Sequence, residues 1–483
     1  MKNGRDFRGG TEVGDLGGSD DLRDKITRGE RSEVAYSESG NSGEGQGDGS
    51  QELPTLDKVR KLQLTLYRKA RSDKRYRFWS LYGEVLRADV LETAWQRVAA
   101  NGGAAGVDGE TIEAVALNPE RKAIWMEEIR KELRSKTYRP SPMRRVVIPK
   151  ANGGERLLGI PTVKDRMVQM AVYLVLMPIF EADFHPRSFG FRPRRSAHQA
   201  VEAIRESLRI GKTEVVDADL SKYFDTIPHR ELLRQVAKRV SDGMILKLIK
   251  RWLRAPIMEE DNEGGKRMKA NKAGTPQGGV ISPLLANIHL NPLDHAVNEG
   301  CGEKPRLIRY ADDLVIICRS GEGMGFRERL NRWLQAKGLK LNESKTRLVN
   351  SRRESFSFLG FTFRWQRSRK GTYYVHTEAS SKSCQAFRDQ IRSILNRTTT
   401  WRRTPDIVHE VNQKIQGWSN YFVLANHHRR FRKTNYFLAH RLRQWLWRKH
   451  GNRSGKYEKW PDELLFEKYK LYKLPTYFAE RSG

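Results

Sequence analysis

The spacing of hydrophobic positions changes period along this chain. Ala197, Val201, Ile204 and Leu208 recur at helical spacing before Gly211, which predicts a helix from Ala197 to Ile210. Short apolar stretches then read as strands: Glu214 to Leu220, Leu307 to Tyr310 and Leu314 to Cys318. The last two are joined by Ala311-Asp312-Asp313, a hairpin tip. Between the first strand and that hairpin, His229 to Val240 and Met244 to Arg254 have helical spacing, and a further helix starts near Ser282. Upstream, Arg144 to Lys150 and Arg156 to Pro161 flank Asn152-Gly153-Gly154, the pattern of a hairpin bearing basic residues. Met167 to Phe180 is the most apolar run; it is too short to span a bilayer and reads as a buried helix. Downstream come a helix over Phe326 to Lys337, a strand holding Lys345, and the aromatic run Phe356 to Trp365. Past Thr377 the pattern turns to basic, Trp-rich helices. This order predicts an α+β fold, a sheet with helices on one face, followed by a separate helical domain.

The N-terminal residues 1–52 carry Gly, Ser and acids with almost no apolar periodicity, so disorder is expected there. A basic helical segment is expected over 53–100. Asn101 to Gly109 is a glycine-rich loop without the Lys-Ser/Thr ending of a nucleotide P-loop, so it carries no triphosphate assignment on its own.

Charge adds a partner. Across 483 residues, 90 Lys and Arg stand against 58 Asp and Glu, a net charge of +32. An excess of that size implies a polyanion, most simply nucleic acid, bound with salt-sensitive affinity. The excess is uneven: Val411 to Tyr457 contains no acidic residue at all. Cys301, Cys318 and Cys384 match no zinc or disulfide spacing, which points to a reducing compartment. No apolar signal segment opens the chain, so a soluble intracellular protein is expected.

The candidate chemistry sits at the strand ends. Asp312 and Asp313 at a hairpin tip, with Asp219 ending another strand, supply the hard oxygen donors that two Mg²⁺ ions need for nucleotidyl transfer. A Tyr-X-Asp-Asp string alone is weak, and a lone acidic turn more often just faces solvent. Flanking strands apolar enough to be buried, and a second acid-ended strand, reverse that balance here.

In order along the chain, the motifs resemble one family, the bacterial group II intron reverse transcriptases with maturase activity. The resemblance runs from about Asn101 to Trp447. It includes Ile148-Pro149-Lys150, Leu158 to Arg166, Ser188 to Pro193, Asp217 to Asp225, Gly274 to Leu290, Tyr310 to Asp313, Leu341 to Thr346 and Phe358 to Phe361, then Gly417 to Phe422 in the C-terminal helices. It implies a right-hand polymerase, with fingers and palm over 101–375 and a helical thumb or maturase domain over 376–460. Asp219, Asp312 and Asp313 would be the catalytic carboxylates and metal ligands, foremost Asp219 and Asp312 as direct ligands of both metals, with the Leu220 carbonyl completing one sphere. Phe224 would be the gate beneath the sugar that selects dNTPs, against the alternative of an ordinary core Phe. Lys150 and Arg166 would grip the triphosphate, or instead a template phosphate, or lie on the surface. Gln277 would pack on the nascent base pair. Arg192 would shape the template path, and Lys345 would support the primer end or simply be exposed. Arg429, Arg430, Arg432 and Lys433 would meet RNA phosphates, while most aromatics of that stretch belong to the core.

The resemblance implies as partners an intron RNA, an RNA template, a DNA primer or target and dNTPs, in the bacterial cytoplasm with association at the nucleoid. The C-terminal DNA endonuclease of many family members, with its paired Cys motifs, has no counterpart, and residues 461–483 are expected to form a short tail. A splicing cofactor with a vestigial polymerase site, and a relative recruited to defence or repair, stay open as alternatives; intact carboxylates speak against the first.

Overall fold

The computed structural model describes residues 55–149, 154–260, 265–299, 305–426, 428–450 and 456–476. Lys150, Cys301 and the acidic N-terminal extension lie outside the described residues. The strands, in chain order, are β1 (Met143–Pro149), β2 (Glu155–Ile160), β3 (Glu214–Ala218), β4 (Ile257–Glu260), β5 (Lys266–Lys269) and β6 (Arg306–Tyr310). They continue with β7 (Asp313–Cys318), β8 (Arg347–Asn350), β9 (Phe356–Phe358), β10 (Phe361–Arg367) and β11 (Tyr373–Ala379). Mixed sheets and helices make this an α+β fold with a helical C-terminal part, as the hydrophobic periods predict.

The chain forms two compact units. The first takes the residues up to Phe184, Arg192–Arg194 and Phe224–His289. Its sheet has the order β2-β1-β4-β5, with β1 and β2 an antiparallel hairpin in the register Val147↔Leu157. Its central helix is Val163–Glu181, capped by Thr162 and buried along nearly its whole length, as an apolar run without polar faces must be.

The second unit holds His185–Phe191, Arg195–Tyr223 and Leu290 onward. Its main sheet runs β6-β7-β3-β8, antiparallel throughout. Val215, Ile308, Val315, Ile317 and Val349 from that sheet share a core with Val201, Ile204 and Leu208 of the helix Ala197–Arg209. That helix starts on a capping box formed by Ser196 and Gln199. A second core joins the helices Ser381–Ile394, Thr404–Tyr421 and His428–His450. Leu465, Leu471 and Leu474 are buried in it as well.

Two element assignments change. The strand expected to run to Leu220 ends at Ala218, because Leu220 pairs instead with Leu341 in an isolated bridge. Lys345 is not on a strand: it occupies the turn before β8, where Lys345 N and Thr346 N donate to Asn342 O. Among the described residues no helix is long and apolar enough to cross a membrane.

Candidate active site

The β3–β7 ladder decides where the carboxylates meet. Asp217 pairs with Val315 and Ala218 with Leu314. Asp219 follows the last pair on β3 and Asp313 precedes it on β7, so both lie at the same end of the ladder. Asp312 stands next to them in the β6–β7 turn, which Tyr310↔Asp313 closes with only Ala311 and Asp312 between. Ala311 has φ +58°, so the turn is built on a left-handed residue that carries a side chain. All three Asp side chains are half-buried.

Buried groups hold that turn in place. Arg309 is fully buried, and its Nε and Nη2 donate to both carboxylate oxygens of Asp294 at 2.6–3.1 Å. Its Nη1 donates to the Ala311 carbonyl at 2.8 Å. Behind the turn, a Cβ on Gly190 would run into Ala311 N and approach Tyr310 C to 2.9 Å, so only glycine lets this loop back the hairpin so closely. Tyr223 is buried nearby; burial pushes its phenol well above the ordinary value, Arg309 opposes the shift, and the negative charges of Asp312 and Asp294 add to it. The phenol therefore stays protonated.

Asp219 is already engaged. Its Oδ2 accepts from Asn342 Nδ2 at 2.9 Å and from Lys345 Nζ at 3.3 Å, while its backbone carbonyl accepts from Asn342 N at 2.8 Å. Among the described residues no three His, Cys, Asp or Glu side chains are gathered as a ready-made metal cage. The donor chemistry nonetheless fits a hard divalent cation: consecutive carboxylates at the β6–β7 turn, and a positive charge already drawn to Asp219.

In the first unit, Phe224 is half-buried rather than part of the core, and its carbonyl accepts from Thr275 N at 2.7 Å. That bond ties it to the Thr275-Pro276-Gln277-Gly278-Gly279 turn, where the Gln277 carbonyl accepts from Gly159 N at 2.7 Å. Gly278, at φ +109°, has no room for a Cβ against the Gly159 carbonyl. Arg166 is buried, and its guanidinium donates to the carbonyls of Gly102 (3.2 Å) and Ala104 (2.7 Å), so it organises the glycine-rich loop. Arg192 is likewise buried, with two bonds to Glu181 and its guanidinium over the Phe184 ring. That engagement argues against Arg192 as a direct phosphate contact.

The sequence matches known families and proteins. The reverse transcriptase (RNA-dependent DNA polymerase) family matches residues 148–363, and the group II intron maturase-specific domain matches residues 384–461. Protein YkfC of Escherichia coli strain K12 is 35% identical over 327 residues, covering 60% of this chain and 84% of that protein. The chain belongs to the group II intron reverse transcriptase and maturase family. The group II intron-encoded protein LtrA of Lactococcus lactis subsp. cremoris is 28% identical over 449 residues, 74% of this chain and 72% of its own. A telomerase structure from Candida albicans covers 75% of this chain and 67% of its own at 13% identity and a TM-score of 0.40, too loose a likeness to argue from.

As a group II intron reverse transcriptase, the protein is an RNA-directed DNA polymerase that depends on divalent metal and acts on intron RNA and other nucleic acid. Its maturase-domain helix His428–His450 divides its cations by task. Arg429, Arg432 and Lys433 are exposed. Arg430 instead makes two 3.1 Å bonds to Glu378, and that ion pair holds the Glu378 carboxyl below its usual range against the opposing effect of burial. Arg443 is buried against the Trp460 carbonyl and Asp462. Phe431 and Trp445 are core, Phe437 and Trp447 half-buried, and Tyr436 exposed.

Sequence reasoning missed Arg309, Asp294, Asn342 and Gly190. The available signal was a charge inside an apolar stretch, Arg309 within Leu307 to Tyr310 and Asp294 within a helix, which calls for a buried partner.

Proposed function

We propose that this protein copies RNA into cDNA from dNTPs with two Mg²⁺ ions held by Asp219, Asp312 and Asp313, the Leu220 carbonyl contributing to one sphere. The observation that supports the reading is the β3–β7 ladder, whose last pair, Ala218↔Leu314, leaves Asp219 and Asp313 as the next residues at the same end of the sheet. Bound there, the ions would stabilise the charge on the attacking and leaving oxygens. The chain's own groups prepare for this: Arg309 fixes the turn, Asn342 orients Asp219, and Lys345 neutralises it between turnovers.

Phe224 serves as the sugar gate and Gln277 lines the nucleotide, both fixed on the turn that Thr275 N ties to Phe224. Lys150 contributes charge for the triphosphate, and Arg166 acts mainly through the glycine-rich loop it holds. Residues 101–375 form fingers and palm, preceded by the acidic extension 1–52 and the basic segment 53–100. Residues 376–460 form the thumb and maturase domain that grips intron RNA through Arg429, Arg432 and Lys433, and the segment after it adds Leu465, Leu471 and Leu474 to its core. The setting is the bacterial cytoplasm, with DNA targets at the nucleoid.

The test is primer extension on an RNA template beside a splicing assay with the flanking RNA. Asp312→Ala should abolish extension and leave RNA affinity intact. Extension at the wild-type rate by that variant would reject the assignment.

A further inference from the structure

The maturase domain displays a tryptophan that neither core uses. Trp401 lies in the connection between the helices Ser381–Ile394 and Thr404–Tyr421 and is 81% exposed. Exposing so large an apolar ring forgoes the stabilisation its burial would give. A slack loop could hide it, but this loop is not slack.

Lys449 Nζ donates to the carbonyls on either side of Trp401, Thr400 O at 2.8 Å and Arg402 O at 2.7 Å. Thr399 Oγ1 donates to Ile394 O at 2.8 Å and accepts from the buried Trp445 Nε1 at 3.0 Å. Arg441 Nη2 donates to Leu395 O at 2.9 Å. The acid-free helix His428–His450 thus spends two of its cations on backbone carbonyls of this loop. The backbone under the indole is ordered before any ligand arrives, which lowers the entropy lost on binding.

The charge around the ring is one-sided. No acidic residue occurs between Asp389 and Asp406, while Arg392, Arg397, Arg402 and Arg403 all fall there. Arg392 pairs with Asp389 and Arg402 with Glu410, while Arg397 and Arg403 are exposed. A flat apolar face beside guanidinium groups suits a base that can stack, flanked by phosphates. A fully paired helix offers phosphates but no open base face along its length.

We propose that Trp401 is a stacking platform for an unpaired base of single-stranded or looped RNA, with Arg397 and Arg403 holding the adjacent phosphates. The proposal rests on the RNA-binding reading above and adds a site and a preference for unpaired RNA to it.

The test uses the full-length protein and two RNAs: a hairpin with an adenine-rich loop, and its stem closed as a blunt duplex. Trp401→Ala should weaken the looped RNA by about 5- to 150-fold, the range expected for one lost stacked base. The duplex affinity, the melting temperature and the salt slope should not move. Trp401→Phe should recover most of the loss. Arg397→Gln with Arg403→Gln should instead flatten the salt slope on the looped RNA by about 1 to 2. Unchanged affinity for the looped RNA in Trp401→Ala would overturn the proposal and is the result expected if the indole docks a protein. Equal losses on both RNAs, or a drop in melting temperature, would overturn it as well. If the wild-type protein binds neither RNA, the underlying RNA-binding reading has failed, a result separable from all of these.

Discussion

Arg309 and Asp294, both essentially inaccessible to solvent, form a fork-to-carboxylate ion pair, and the remaining guanidinium nitrogen holds the carbonyl of Ala311. The pair thus couples the helix Ser282–Asn298 to the turn that carries Asp312 and Asp313. Removing one partner leaves a buried charge uncompensated, so Asp294→Ala should cost about 3–5 kcal/mol of stability, read by denaturant unfolding. Arg309→Lys keeps the charge and loses the planar fork. Its extension rate should fall roughly 10- to 100-fold through a misplaced turn, with a smaller stability loss than Asp294→Ala. Wild-type extension by Arg309→Lys would show that the turn holds its shape without the fork.

Lys345 pairs with Asp219, so on the proposed reading a metal at Asp219 would exchange with the ammonium. The pair is partly exposed, and such pairs contribute about 0.2–1 kcal/mol. Lys345→Ala should therefore lower the half-saturating metal concentration for extension by about 1.4- to 5-fold. A metal titration at saturating primer and dNTP reads this directly, and an unchanged midpoint would remove Lys345 from the metal equilibrium.

His185 gives the fold an acid sensitivity. Burial lowers its imidazole from 6.5 to about 4, and its Nδ1 accepts from Arg187 N at 3.1 Å, which requires the neutral ring. The unfolded chain takes up that proton near pH 6.5 and the folded one only near 4. Stability from this group is therefore complete above pH 6.5 and declines as pH falls toward 4, by at most about 3 kcal/mol. His185→Gln should flatten the unfolding free energy across that window. An identical slope in the variant would assign the acid sensitivity to other groups.

The cations of the helix His428–His450 should separate on substitution. Arg429→Gln, Arg432→Gln and Lys433→Gln combined should flatten the salt dependence of RNA affinity by about 2 to 3 and leave the melting temperature unchanged. Arg430→Gln should do the reverse, lowering the melting temperature through the loss of Glu378 with little effect on the slope. Matching behaviour of the two variants would refute the division.

Much of this architecture is legible in local pattern. The apolar runs on either side of Tyr310 to Asp313 foretell a buried hairpin, and the helix from Ala197 follows from four residues and a glycine stop. What local pattern does not carry is pairing between distant segments. Nothing near Lys345 reveals that Asn342 and Leu341 bridge back to Asp219 and Leu220, shortening β3 and placing the lysine in a turn. Nor does the basic stretch after His427 reveal which cations face water: Arg429 and Arg430 are neighbours, and Glu378, fifty-odd residues upstream, engages only the second. Helix phase and tertiary partners decide that, and both are set by packing.

The ladder that joins β3 to β7 also makes the placement of Asp219 binary. Side chains along a strand alternate faces, so a slip of one residue would turn every β3 side chain to the other face and carry Asp219, the next residue, with them. No intermediate displacement of the strand retains the hydrogen bonds. Insertion or deletion of one residue within Glu214–Ala218 is therefore a parity error: it inverts which side of the sheet the acid occupies, however well the apolar residues repack.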